Sequence, residues 1–289
     1  MMISRSSWLH MRIPFSVFLM PIYCFALSQT TKPVWWEAVL VFVMLHIFLF
    51  PASNGYNSYF DRDEESIGGL ETPPEVTPDL YWLSWGFDIA AIAIGLYFHP
   101  LIAVMALAYG LASKAYSHPS IRLKKHPWAS WFIVGFFQGA ITYCITWMAL
   151  EHAAPGDLLQ PQVLLAAFLS SALLWGSYPM TQIYQHEEDA RRGDLTLSRI
   201  LGLRGTFYFT AAAFALATSG FGWYFHTYES FDQFLIFQVF LIPVLVFFGW
   251  WYVQVHQNPT KANFRNTMWL NRISSWCMIA FFLLITFWK

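Results

Sequence analysis

The sequence predicts an all-α polytopic membrane protein, a bundle of nine transmembrane helices with loops forming a cytoplasmic cap. Three observations carry that expectation. Of 289 residues, 57% are apolar and 11% are charged, with a mean hydropathy of +0.43, against the roughly 25% charge usual in soluble domains. Apolar runs of bilayer-spanning length recur along the whole chain. Basic residues segregate strongly to one side of the resulting topology.

The expected spans lie near 13–30, 33–52, 79–98, 100–116, 128–150, 161–180, 204–226, 232–253 and 269–288. The third and fourth are separated only by His99-Pro100, which requires a tight turn. The first resembles a signal sequence, with Arg5 and Arg12 before an apolar run and Ala26-Leu27-Ser28 near its end. It is read as a retained span because it keeps the charge pattern consistent. With a cytoplasmic N-terminus, Arg5, Arg12, Arg62, Lys114, Arg122, Lys124, Lys125, Arg191, Arg192, Arg199, Arg204, Lys261, Arg265 and Arg272 fall inside or at the inner boundary. Lys32 and Lys289 fall outside, which completes the 16 Lys and Arg. The chain is expected to form one integral membrane domain over 1–289, in the cell (inner) membrane.

Net charge is −1, so no basic excess points to nucleic acid. Cys24, Cys144 and Cys277 are isolated in apolar runs and read as fillers.

The two longest loops, 53–78 and 181–203, are both cytoplasmic and both acidic. In the first, Asn57, Asp61 and Glu65 stand at i, i+4 and i+8, so a continuing helix would align their oxygens on one face. In the second, Gln185 and Asp189 repeat the i, i+4 spacing within a run that includes Glu187 and Glu188. Hard oxygen donors of this kind suit magnesium, which takes a few carboxylates, waters and substrate phosphate oxygens. Two such clusters facing each other suit a diphosphate, whose departure metal and cations assist. A third stretch, from Tyr116 to Lys125, supplies cations. The plain alternative is that these runs are solvated loop faces balanced by Arg62, Arg191 and Arg192.

With these strings the chain resembles the UbiA superfamily of intramembrane prenyltransferases. The family's N-x-x-x-D-x-x-x-D motif is matched by Asn57, Asp61 and Glu65, with Glu where Asp is usual. Its second motif is matched by Gln185, Glu187, Asp189, Gly193, Thr196 and Leu197, with Gln185 replacing the first Asp. Tyr116-Ser117-x-Pro119 through Arg122-Leu123-Lys124, and Arg12-Ile13-Pro14, are also similar to family strings.

The resemblance implies magnesium-dependent transfer of an isoprenoid from an allylic prenyl diphosphate to a hydrophobic or aromatic acceptor. It implies that Asn57, Asp61, Glu65, Gln185, Glu187 and Asp189 hold the metal, and that Arg12, Lys124 and Arg192 contact the diphosphate. Asp61, Asp189 and Tyr116 would serve the chemistry, Tyr116 by stabilising an allylic cation with its ring. Glu65 keeps the charge of Asp. Gln185 loses it, which leaves a catalytically impaired isoprenoid-binding protein as an alternative. A transporter is the other rival, but its polar groups belong at the midplane, where this chain offers little beyond Asp88.

Asp88 is expected to pair within the bundle, and His46 and Gln138 to make interhelical hydrogen bonds. Glu151, His152 and Asp157 fall on the outer side. Asn263, Arg265, Asn266, Asn271 and Arg272 read as membrane-surface anchors.

Overall fold

The computed structural model describes residues 3–288. Its long helices are α1 (Arg5–Ser28), α2 (Trp35–Asp61), α3 (Asp79–Phe98), α4 (Pro100–Ser117), α5 (Pro127–Glu151), α6 (Pro161–Gln182), α7 (Leu197–Tyr228), α8 (Phe231–Gln257) and α9 (Phe264–Trp288). Eight are long and apolar enough to cross a membrane. The other, α4, has 18 residues and carries Lys114. Among the described residues no strand forms, only an isolated bridge between Ile67 and Leu70.

Consecutive helices pack side by side, and α9 returns against α1 to close the ring, while α1 also packs against α5. Much of α1 is therefore interior, with Cys24, Phe25 and Ala26 fully buried. The flank made by α7 and α8 turns large apolar residues outward, including Leu216, Trp223 and Val246. In a bilayer these face lipid at no cost.

Local chemistry explains the irregular helices. Arg12 takes a left-handed backbone (φ 49°) between the first turns of α1 and a tighter 3₁₀ stretch beginning at Ile13. α2 and α5 widen to i→i+5 bonding over Val43–Leu49 and Phe136–Ile141, a distortion found often near functional sites. In α5 the widened turn leaves the Ala140 N–H free to donate to Ser171 Oγ at 3.0 Å. Beside it, Gly139 lets α5 touch the α6 backbone, where any Cβ would overlap Ser171 Cα. The α3–α4 turn is as tight as its sequence requires: His99 Nδ1 accepts from Leu101 N at 3.0 Å and so starts α4. Gly202 (φ 66°) breaks α7 near its first turns.

Two cores stack along the bundle. At the end away from the long loops, rings from four helices pack together. Phe25 stacks on Phe282 at 4.7 Å, Phe221 lies 5.4 Å from Phe25 and 5.1 Å from Phe237, and all four are at most 1% exposed. A smaller core of Met180, Phe207, Trp251 and Leu270 lies near the long loops. The buried charges are resolved locally. Asp88 pairs with Lys114 across α3 and α4, and the ammonium also sits 4.7 Å and 4.8 Å from the Tyr56 and Trp85 ring centres. His46 Nδ1 meets Ser16 O at 3.1 Å. At the far end Glu151 accepts from the Thr31 backbone, and His152 lies 3.0 Å from Glu37. The three cysteines are free.

Candidate active site

The long loops close over one end of the bundle. The N-terminal turns clasp the first loop: Ser4 N donates to Asp79 Oδ2 at 2.8 Å, Ser4 and Ser7 hydroxyls meet Thr77, and His10 meets Pro74 O at 2.8 Å. Beneath lies a polar cavity of about 220 Å³, lined by Arg12, Asn57, Asp61, Asp63, Tyr116, Lys124, Tyr178, Gln182, Gln185, Asp189, Arg192 and Asp194, among others. Eight of the twelve residues just named are sequence candidates, all but Asp63, Tyr178, Gln182 and Asp194.

The first motif does not follow the expected geometry throughout. α2 ends at Asp61 because Arg62 turns left-handed (φ 48°) and closes the helix with its N–H on Ser58 O. Asn57 and Asp61 therefore share a face, and Asn57 Nδ2 donates to Asp61 Oδ2 at 2.7 Å. Glu65 lies beyond the helix end, half exposed, paired with Arg191. In the second motif the spacing holds: Gln185 caps the short helix His186–Arg192, and Asp189 N donates to Gln185 O at 2.9 Å. Gln185 Nε2 reaches Ser66 O at 3.4 Å. Glu187 is exposed and does not line the cavity.

Basic groups cross-link the acids. Lys124 lies 2.6 Å from Asp61 Oδ1 and 3.0 Å from Asp194 Oδ2. Arg122, also left-handed (φ 46°), clamps Asp194 with Nε and Nη2, each at 3.0 Å. Non-glycine residues adopt this conformation at a cost that surrounding contacts must hold. Arg192 binds Asp63, and Glu188 at 2.7 Å. Arg12 donates to Gly68 O at 3.2 Å and Asn54 O at 3.1 Å. Its Nε is buried and finds no hydrogen-bond partner among the described residues, and the same holds for Gln182 Oε1.

Burial lifts the Asp189 carboxyl to about 7 despite the nearby Lys124. Burial also pulls Asp194 upward, but the Arg122 and Lys124 contacts outweigh it and hold that acid below its ordinary value. Five residues apart, one acid resists ionisation and the other is locked into it.

Among the described residues, no three His, Cys, Asp or Glu converge as a ready cage for a metal. The donor set still fits magnesium, which binds through one or two carboxylates and fills its shell with water and substrate phosphates. Asp61 and Asp189, with the amide oxygens of Asn57 and Gln185, offer that set around the same cavity.

A second cavity of about 640 Å³ runs on into the bundle. The two share Phe15, Ser53, Asn54, Tyr109, Gln138, Tyr178 and Thr181 in their walls. At this neck the Tyr116 and Tyr178 hydroxyls meet at 2.6 Å. The inner chamber is mostly apolar. Asn271, expected to be a surface anchor, instead lines it. Asp194 and Tyr178 escaped sequence reasoning. Asp194 follows Gly193 just after the acidic run, and the uncompensated Arg122 and Lys124 were the available hint. No pattern marks Tyr178, which sits in an apolar span.

No curated protein sequence matches the chain. Its fold is similar to solved structures. A UbiA homolog from Archaeoglobus fulgidus bound to DMAPP and Mg2+ matches with TM-score 0.72 and 15% identity over 98% of this chain and 99% of that one. The apo UbiA homolog from Aeropyrum pernix K1 matches with TM-score 0.69 and 16% identity over 93% and 98%. A digeranylgeranylglyceryl phosphate synthase matches with TM-score 0.63 and 15% identity over 96% and 97%. The sequence profile of the UbiA prenyltransferase family matches residues 18–273, most of the chain and both acidic loops, and the chain belongs to that family.

Proposed function

We propose that the protein transfers an isoprenoid chain from an allylic prenyl diphosphate to a hydrophobic acceptor within the membrane, with magnesium. The observation that carries this reading is the joined pair of cavities: a charged chamber of about 220 Å³ opening through a shared neck into an apolar one of about 640 Å³. A prenyl diphosphate has the same division, a polyanionic head on an apolar tail. The Archaeoglobus fulgidus structures bound to DMAPP or GPP with Mg2+ support the same pairing of ligands.

Asp61, Asp189, Asn57 and Gln185 would hold magnesium, which when bound neutralises charge on the diphosphate. Lys124, Arg12 and Arg192 face the same cavity and bind the phosphate oxygens. The C1–O bond breaks, its electron pair leaving on the diphosphate. Tyr116 and Tyr178 stand at the neck, where the allylic cation forms and aromatic faces favour positive charge. The acceptor gives an electron pair to C1 and loses a proton to the departing diphosphate or to a nearby carboxylate. The cap clasps and the apolar chamber below the neck keep bulk water from competing as acceptor. The segregation of Lys and Arg supports a cytoplasmic cap.

The test is magnesium-dependent pyrophosphate release from prenyl diphosphates by the purified protein and by Asp61→Asn. The variant is expected to lose about 10²-fold or more, the usual cost of removing a group that stabilises developing charge. Unchanged release in the variant would sink the assignment.

A further inference from the structure

We infer that an aromatic floor at the far end of the apolar chamber limits the isoprenoid to three or four units. The inference rests on the function proposed above. The chamber's last lining residues away from the cap are Ile22 of α1, Thr218 of α7, Gln238 of α8 and Met278 of α9. Within four residues beyond each comes a phenylalanine on the same helix: Phe25, Phe221, Phe237 and Phe282. These are the rings that stack and tilt against one another at 4.7–5.4 Å, at most 1% exposed. Four helices thus close the chamber with side chains that already fill the space between them. A close-packed interior yields little to an extra methylene.

Helix geometry sets the depth. The chamber wall runs from Thr181 to Leu173 on α6 and from Thr210 to Thr218 on α7. Eight residues at about 1.5 Å each make about 12 Å. An isoprene unit adds four bonds along its chain. It reaches about 4–5 Å by the bond geometry that gives three backbone bonds about 3.3–3.6 Å. Two or three units therefore fill the chamber, and one more occupies the neck beside Tyr116 and Tyr178. One route competes with a stop at the floor: Ala211, Ala215 and Leu245 line the chamber and are also exposed on the α7–α8 flank, so a longer tail has a sideways path into lipid.

The test measures binding of geranyl, farnesyl, geranylgeranyl and octaprenyl diphosphates to the full-length protein in detergent with magnesium. Affinity is expected to climb to farnesyl or geranylgeranyl as apolar surface is buried. It should then fall about tenfold or more for octaprenyl, the scale of overpacking strain. Phe282→Ala, which removes one of the four rings, should lessen that fall. Thr218→Phe, which fills the chamber above the floor and leaves the floor rings in place, should move the fall to shorter chains. Octaprenyl binding as tightly as geranylgeranyl in the unaltered protein overturns the floor while leaving the proposed function standing. So does loss of octaprenyl binding in Ala215→Trp alone, which would show the sideways path. If no prenyl diphosphate binds, the functional reading itself fails and the floor with it.

Discussion

Lys124 Nζ lies 2.6 Å from Asp61 Oδ1, with both side chains under 10% exposed. The cation expected to meet the diphosphate is thus held by the acid expected to meet the metal. On the proposed assignment, ligand binding would exchange these partners, with magnesium taking the carboxylate and the released ammonium turning to phosphate.

Lys124→Met should therefore do more than weaken diphosphate binding. It leaves Asp61 buried without its cation and removes one of the contacts on Asp194. Breaking a buried pair by removing one partner costs about 3–5 kcal/mol. Thermal denaturation should show that loss, and Asp61→Asn combined with Lys124→Met should recover part of it.

The two acids flanking Gly193 give opposite pH responses. Asp189, raised to about 7 by burial, contributes stability that is complete below its unfolded value near 3.9 and is lost as pH rises toward 7. Asp194, held low against burial by Arg122 and Lys124, contributes above that unfolded value and loses its contribution as pH falls through its depressed one. In chelator, Asp189→Asn should flatten the decline of the melting temperature between about pH 4 and 7. Asp194→Asn should flatten the loss at the acid end. A wild-type slope that survives the first substitution would refute the assignment to Asp189.

Asp88 and Lys114 make a second buried pair, shielded by Tyr56 and Trp85. Asp88→Asn should destabilise by about 3–5 kcal/mol, whereas Asp88→Asn with Lys114→Met should be milder, because no uncompensated charge remains. Denaturation of the single and double variants in detergent checks the sign of the coupling.

Gly139→Ala sets helix propensity against packing. Alanine favours a helix by about 1 kcal/mol, but the added Cβ overlaps the Ser171 backbone, which cannot move aside as a side chain can. The expected result is a lower melting temperature. A neutral or stabilising effect would show that α5 and α6 do not meet as closely as described.

Gln185→Asp restores an anionic donor to the cavity wall. Half-maximal pyrophosphate release should then require less magnesium, since affinity follows the charge of the ligand set. Titration of the metal with both proteins decides it.

The helical architecture was legible because a bilayer demands long apolar segments. Every expected span coincides with a helix, although α1, α2, α7 and α9 extend further toward the cap through polar turns that hydropathy does not register. Most of the candidate site was legible too, since charges in an apolar chain are conspicuous. Spacing failed at Glu65, because it presumes that the helix continues and Arg62 ends it. Tyr178, Gln182 and the chamber's neck were invisible for a different reason. They become a site only when non-consecutive helices pack, and nothing in a local pattern reports that.

The contacts of Arg192 with Asp63 and of Arg191 with Glu65 join residues 129 and 126 positions apart. During synthesis the first acidic loop emerges long before the arginines that fasten it. Until residue 192 has left the ribosome the first loop is held without them, by the N-terminal clasps and by Lys124, so a chain stalled before then has its first motif without the second. Because α7, α8 and α9 also wall the inner chamber, as far as Met278, the paired cavities are complete only when nearly the whole chain exists.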